Sequence, residues 1–284
     1  MLITARREAL REMLTAAHVE LMPIGSLEEQ MSALLPGSTV TVTCSPKMGV
    51  DVTVKEAVTL AGHGFDAVPH LAARQIAGKS QLQDILNKLG DAGIDSIFVP
   101  GGDVATPTGD FDSALQLLRA MSELDHNISR IGVAAYPEGH PFINHETLIS
   151  TLRLKQEFAT TCVTQMCFNG DKITKWIGSI RNEGITLPIR LGLPGAVERK
   201  KLFKFSLRIG VGDSARFLIK QTRTVRKLMA AKIYQPDDLL YHLADYVGVA
   251  RFNIVGFHLY TFNQLETTNR WRESFDHALE EKLG

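Results

Sequence analysis

The chain has 284 residues, 44% of them hydrophobic and 22% charged, with 31 basic residues balancing 31 acidic ones. That apolar share can bury a full core, and a formal net charge near zero excludes a general field for nucleic acid or acidic membranes. The three cysteines, Cys44, Cys162 and Cys167, are too few and unevenly spaced for a disulfide framework or a zinc site. They read as small buried hydrophobes of a reduced compartment.

Met1–Ala17 predicts a helix ahead of the first strand and lacks the apolar core of a signal peptide. No window approaches a membrane span, so a cytoplasmic protein without membrane or nucleic-acid partners is expected. Strand-like runs follow at Val19–Met22, Thr39–Cys44, Phe65–Pro69, Ser96–Pro100, Ile131–Tyr136, Cys162–Phe168, Pro188–Leu193 and Asn253–Leu259. Between them, helical spacing marks Ser26–Leu35, Val52–Gly62, Gln81–Leu89, Asp110–Leu124, His145–Ala159 and Gly170–Glu183. The first of these opens with Ser26 and Glu29 at capping-box spacing.

Eight strands alternating with helices predict parallel pairing through right-handed crossovers. An open doubly wound sheet shares the pattern. Closure is favoured because the count reaches eight and no G-x-G-x-x-G follows an early strand. The expected fold is α/β, a (β/α)8 TIM barrel spanning 1–284 as one domain, with residues 1–17 as an extra N-terminal helix. The stretch Pro194–Arg251 is too long for one helix and is expected to hold several, including Pro236–Val247.

In a barrel, side chains just past each strand gather at the C-terminal face. They are Glu20, Thr43, Ser45, His70 and Asp103, then Tyr136, Glu138 and His140, then Gln165, Asn169, His258, Tyr260 and Asn263. Glu20 lies in an apolar strand, where lost hydration would favour its protonated form and suit it to proton donation. An outward residue paired with a base is the even alternative. Asp103 follows Gly101 and Gly102, which would let a planar ligand approach, though Asp also makes N-caps and Asx turns. Gln165 is an amide suited to orienting a ligand. No nucleophile–base pair and no metal motif stands out, which points to chemistry carried by an organic cofactor.

The segment Val133-Ala-Ala-Tyr-Pro-Glu-Gly-His-Pro141 resembles the most distinctive motif of the methylenetetrahydrofolate reductase family. Val68-Pro-His-Leu71, Gly102-Asp103, Val163-Thr-Gln165 and Phe257-His-Leu-Tyr-Thr-Phe-Asn263 support it in family order. The resemblance implies a flavin-dependent reductase that passes a hydride from NAD(P)H through FAD to methylenetetrahydrofolate. The product would be 5-methyltetrahydrofolate, or the reverse reaction would run in methyl catabolism. It implies Glu20 as general acid, Asp103 as the charge near flavin and pterin, and Gln165 as the residue that orients folate and nicotinamide. Thr43, His70, Gly102, Asp103, Ala134, Tyr136 and Lys155 would line the flavin site. Gln165, Tyr260 and Gln264 would meet the substrate.

The chain also departs from the family. Gly101 stands where an arginine is often found, and Cys44 replaces a tyrosine. The loop Leu193–Glu198 lacks an aromatic, and Gln264 replaces an arginine that can hold the folate tail. Tail recognition would then fall to Arg270, Arg272 or the run Arg199–Lys201. With the chain ending at Gly284, no C-terminal regulatory domain and no response to S-adenosylmethionine are expected. FMN or no tightly bound flavin, a flavin-free relative, a non-catalytic folate- or flavin-binding barrel, and a homo-oligomer all stay open.

Overall fold

Short runs buried on both faces set the strands, and amphipathic stretches between them set the helices. In a computed structural model, which describes residues 2–208 and 232–281, the result is a TIM-like (β/α)8 barrel with a preceding helix. The barrel strands are β1 (His18–Leu21), β2 (Thr39–Val42), β3 (Asp66–Pro69), β4 (Ser96–Val99), β5 (Arg130–Ala135), β6 (Thr161–Thr164) and β7 (Ile189–Pro194). After the two short strands β8 (Val197–Glu198) and β9 (Ile233–Tyr234), the eighth barrel strand is β10 (Ile254–Tyr260). They order as β3-β2-β1-β10-β7-β6-β5-β4, and a parallel bridge from His70 to Phe98 links the β3 end to β4. All eight expected strands are present. The sixth stops at Thr164 rather than Phe168; just beyond it the Gln165 side chain accepts from the Met166 N–H.

The helices are α1 (Leu2–Thr15), α2 (Leu27–Ser32), α3 (Gly49–Gly62), α4 (Lys79–Asp91), α5 (Ala114–Met121), α6 (His145–Lys155) and α7 (Gly170–Asn182). Beyond β7 come α8 (Arg199–Arg208), α9 (Asp237–Leu243) and α10 (Leu265–Glu281). Ser26 caps α2 through the Glu29 N–H, as the capping-box spacing predicts. Among the described residues no helix is long and apolar enough to cross a membrane.

The chain divides into two compact units. One holds His18–Ala134 and Ser150–Val163. Its strand registers sort the side chains onto two faces. Val19, Leu21, Val40, Val42, Ala67, Ile97, Val99 and Val133 form one face, each 3% exposed or less. Helices α3 and α5, which contact β2, β3 and β4, bury their apolar sides there.

The opposite face is mixed and runs in layers. Thr39 pairs with Asp66 at its N-terminal edge, where Arg130 also bonds Asp66 at 2.9 Å and Asp95 at 2.6 Å. The Arg130 hydrogen bond, with help from Ser129, holds the Asp95 carboxyl below its ordinary range. Glu20, Thr41 and Val68 make the next layer, with His70, Phe98 and Gly132 above it. A Cβ on Gly132 would come within 3.2 Å of the Phe98 ring, which places the two on the same side.

The other unit holds Met1–Ala17, Ala135–Ile149 and Thr164–Gly284. Here α1 packs on α10 and β10. Arg11 grips Asp276 with two nitrogens, and the Arg272 guanidinium donates to the carbonyls of Leu14 and Thr15 at 3.0 and 2.7 Å. The last carbonyls of α1 thus gain the donor that a helix end requires. In the β7–β10 pair, Leu191, Leu193, Phe257 and Leu259 are fully buried on one face. Arg190, Gly192, Gly256, His258 and Tyr260 share the other.

Two features of this unit escaped the sequence. The antiparallel ribbon of β8 and β9 is two residues per strand, too short for alternation to register. Helix α10 carries its apolar residues at Leu265, Trp271, Phe275 and Leu279, and a buried Thr268 interrupts their spacing. Part of the Pro194–Arg251 insert lies outside the described residues; within the rest, α9 matches the expected Pro236–Val247 helix.

Candidate functional site

Glu20 is the third residue of β1 and 7% exposed. Its register partner is Thr41, whose own partner is Val68, two residues before His70. It therefore shares the mixed face with Thr41 and His70 and not the apolar face under the helices. The reading in which it points outward to a base-bearing helix is set aside by that register. His70 packs its ring on Phe98, with centroids 4.6 Å apart. Thr43 follows β2, where its carbonyl accepts from the Thr53 hydroxyl of α3 at 3.1 Å.

The Gly101–Gly102–Asp103 loop follows β4. Gly102 sits at φ +97°, and a Cβ there would approach the Ala72 Cβ to 3.3 Å, so glycine suits both the backbone and the space. Arg74, from the β3–α4 connection, organises this loop. Its guanidinium donates to the carbonyls of Val104, Ala105 and Asp112 at 2.9, 2.6 and 3.1 Å. Asp103 is exposed and, among the described residues, its carboxylate neither caps a helix, forms an Asx turn nor makes another hydrogen bond.

Lys155 ends α6 and is 6% exposed. Its ammonium donates to the Ala134 carbonyl at 3.0 Å, joining two residues that the sequence places 21 positions apart. Burial pushes the Lys155 pKa down to about 8. The group is still mainly a cation at neutral pH. Thr43, His70, Gly102, Asp103, Ala134 and Lys155 thus belong to a single unit, on β2 to β5 and the helix after them.

In the other unit Tyr136 leaves β5 with its ring edge 5.2 Å from His140. Glu138, of the same loop, has a side chain only 5% exposed. It accepts from the Cys167 thiol at 3.2 Å and lies 3.8 Å from the Lys172 ammonium. Burial, with the nearby Glu138 charge, pushes the Cys167 thiol far up, so it stays protonated. Cys162 and Cys167 are buried as the composition suggests, whereas Cys44 is half-buried.

Gln165 spends its amide oxygen on the Met166 N–H at 2.8 Å. Tyr260 reaches across β7 to the Thr164 carbonyl, its hydroxyl donating at 3.1 Å. That path exists because position 192 is glycine: a Cβ there would sit 2.1 Å from the Thr164 oxygen and 2.7 Å from the Tyr260 ring. Gln264 accepts from the Glu198 N–H at 3.0 Å and so ties the insert to the start of α10. Its Nε2 is buried with no hydrogen-bond partner among the described residues. Arg272 is buried and caps α1 through one guanidinium nitrogen. Arg270 is exposed and pairs with Glu266.

Sequence reasoning missed Arg74, Thr41 and Gly192. Arg74 had only its place after β3 to mark it. Thr41 becomes visible once register sets it beside Glu20. Among the described residues, no three His, Cys, Asp or Glu side chains gather to hold a metal.

Comparison with known proteins decides the family. The family model for methylenetetrahydrofolate reductase matches residues 26–273. The chain belongs to that family. Methylenetetrahydrofolate reductase sequences from Caenorhabditis elegans (described as probable and NADPH-dependent) and Schizosaccharomyces pombe are 28% identical over 180 residues and 42% over 65. Those alignments cover 58% and 22% of this chain, but only 27% and 11% of the two relatives. The chain therefore spans about a quarter or less of the curated relatives it matches. A solved structure from Clostridium thermocellum shares the fold, with a TM-score of 0.60, 11% identity, and coverage of 94% of this chain and 98% of that one. It is described as binding two copies of 5-methyl-5,6,7,8-tetrahydrofolic acid. The family match takes in every assigned site position except Glu20, which precedes it.

Proposed function

We propose that this chain is a methylenetetrahydrofolate reductase, which moves a hydride from NAD(P)H to 5,10-methylenetetrahydrofolate and forms 5-methyltetrahydrofolate. The observation that carries this reading is the placement of Glu20. It is a buried carboxyl on the mixed sheet face with Thr41 and His70, in a chain of the reductase family. A barrel neighbour that binds methyltetrahydrofolate agrees with folate as the substrate class.

Opening the folate's five-membered ring breaks the bond between the one-carbon unit and N10. Glu20 gives N10 the proton it needs to leave, and the remaining 5-iminium cation accepts the hydride. Asp103, exposed and without a partner among the described residues, places its carboxylate to face that cation. Gln165 keeps its amide NH2 for the substrate, since its oxygen is held by Met166.

The donor set fits a flavin. Thr43 and His70 carry donors for ring carbonyls and ribityl hydroxyls, and Gly102 keeps the loop free of a side chain. Lys155, in the same unit, carries a cation. A bound flavin supplies the two-electron relay between nicotinamide and folate. Gly101 favours a second reading, direct hydride transfer without tight flavin, because Arg74 is committed to three loop carbonyls and does not replace the family's arginine.

The test is product formation from methylenetetrahydrofolate and NAD(P)H by the purified protein, with an absorbance spectrum of the same sample. Methyltetrahydrofolate from a yellow protein supports the first reading. The same product from a colourless one supports the second, and no product with either nucleotide refutes both.

A further inference from the structure

Thr41 is 2% exposed, and its hydroxyl has no hydrogen-bond partner among the described residues. A buried hydroxyl in that position is rare, because desolvating it without a partner costs on the order of 1–3 kcal/mol. Packing alone does not call for oxygen here: Val40 and Val42 flank it in the same strand, and valine is its near isostere. Something other than the fold selects the hydroxyl. Register places Glu20 directly beside it on the adjacent parallel strand. Residues so paired stand about 4.8 Å apart with side chains on one face. On its far side the register partner is Val68, whose side chain offers no polar atom.

We propose that Thr41 is a positioning residue for Glu20: its hydroxyl, through one ordered water, holds the Glu20 carboxyl in the orientation from which it gives its proton. This rests on Glu20 as the acid of the proposed reductase. A water between a hydroxyl and a carboxyl satisfies the orphaned oxygen and fixes one carboxyl rotamer. Thr41 itself touches neither hydride donor nor folate in this arrangement.

The experiment compares wild type, Thr41→Val and Thr41→Ser. Thr41→Val is expected to lower kcat for methylenetetrahydrofolate reduction roughly tenfold, the scale of one lost hydrogen bond to an ionisable group. KM for the folate and the NADH–menadione rate should stay as in wild type. Thr41→Ser restores the hydroxyl and should restore kcat. A crystal structure of the wild type should show a water bonded to Thr41 Oγ1 and a Glu20 carboxyl oxygen.

Wild-type kcat in Thr41→Val overturns the inference, as does failure of serine to rescue. Equal loss in the menadione assay, or a Thr41 Oγ1 bonded elsewhere, overturns it too. Absence of folate turnover in the wild type is a different result: it removes the reductase reading itself, and the inference falls with it.

Discussion

The Lys155 ammonium lies 3.0 Å from the Ala134 carbonyl and is almost fully removed from water. Burial lowers its pKa to about 8. Between pH 8 and the ordinary lysine value near ~10.4, the unfolded chain holds a proton that the folded chain has released. Unfolding then binds protons, so folding stability rises with pH across that window, by about 3 kcal/mol in total. Lys155→Met abolishes this contribution. Urea midpoints of the wild type should climb relative to those of the variant from pH 8 to pH 10. Parallel curves would mean that Lys155 is solvated.

Gly192→Ala tests the route by which Tyr260 reaches Thr164. The new Cβ would lie 2.1 Å from a backbone oxygen, which cannot swing aside as a side chain end would. Overpacking of this kind costs roughly 3 kcal/mol, so a clear fall in thermal midpoint is expected. Tyr260→Phe should cost only about 1 kcal/mol, the worth of its hydroxyl bond. If both variants melt together, the close approach is not a constraint.

Asp103→Asn separates charge from structure. The carboxylate is exposed and bonds nothing among the described residues, so the melting temperature should not move. Turnover of methylenetetrahydrofolate should fall by roughly 10²–10³, the usual scale for one lost electrostatic stabiliser. Unchanged turnover would make Asp103 an ordinary loop residue.

Much of the fold was legible because each strand is a short apolar run with punctuation on either side, and each helix leads back through a turn residue. Helix α10 was not: its Trp271–Phe275–Leu279 stripe begins after Thr268, a buried threonine that breaks the period. The candidates were legible as residue types at strand ends, and Glu20 is buried in its strand as the apolar run around it suggests. What each side chain does locally was not. Tyr260 and Gln264 are bonded to backbone groups far away in sequence, Thr164 and Glu198, and no local pattern encodes such partners. Arg272 likewise bonds the C-terminal carbonyls of α1, 257 and 258 positions away, a role no local pattern announces.

Glu20→Gln is the most direct measurement of the central claim, because glutamine keeps the shape of the side chain and removes the proton. In stopped-flow and steady-state assays the variant should lose reduction of methylenetetrahydrofolate while keeping NADH-dependent menadione reduction near the wild-type rate. Equal loss of both reactions, or folate reduction at the wild-type rate, would contradict Glu20 as the acid.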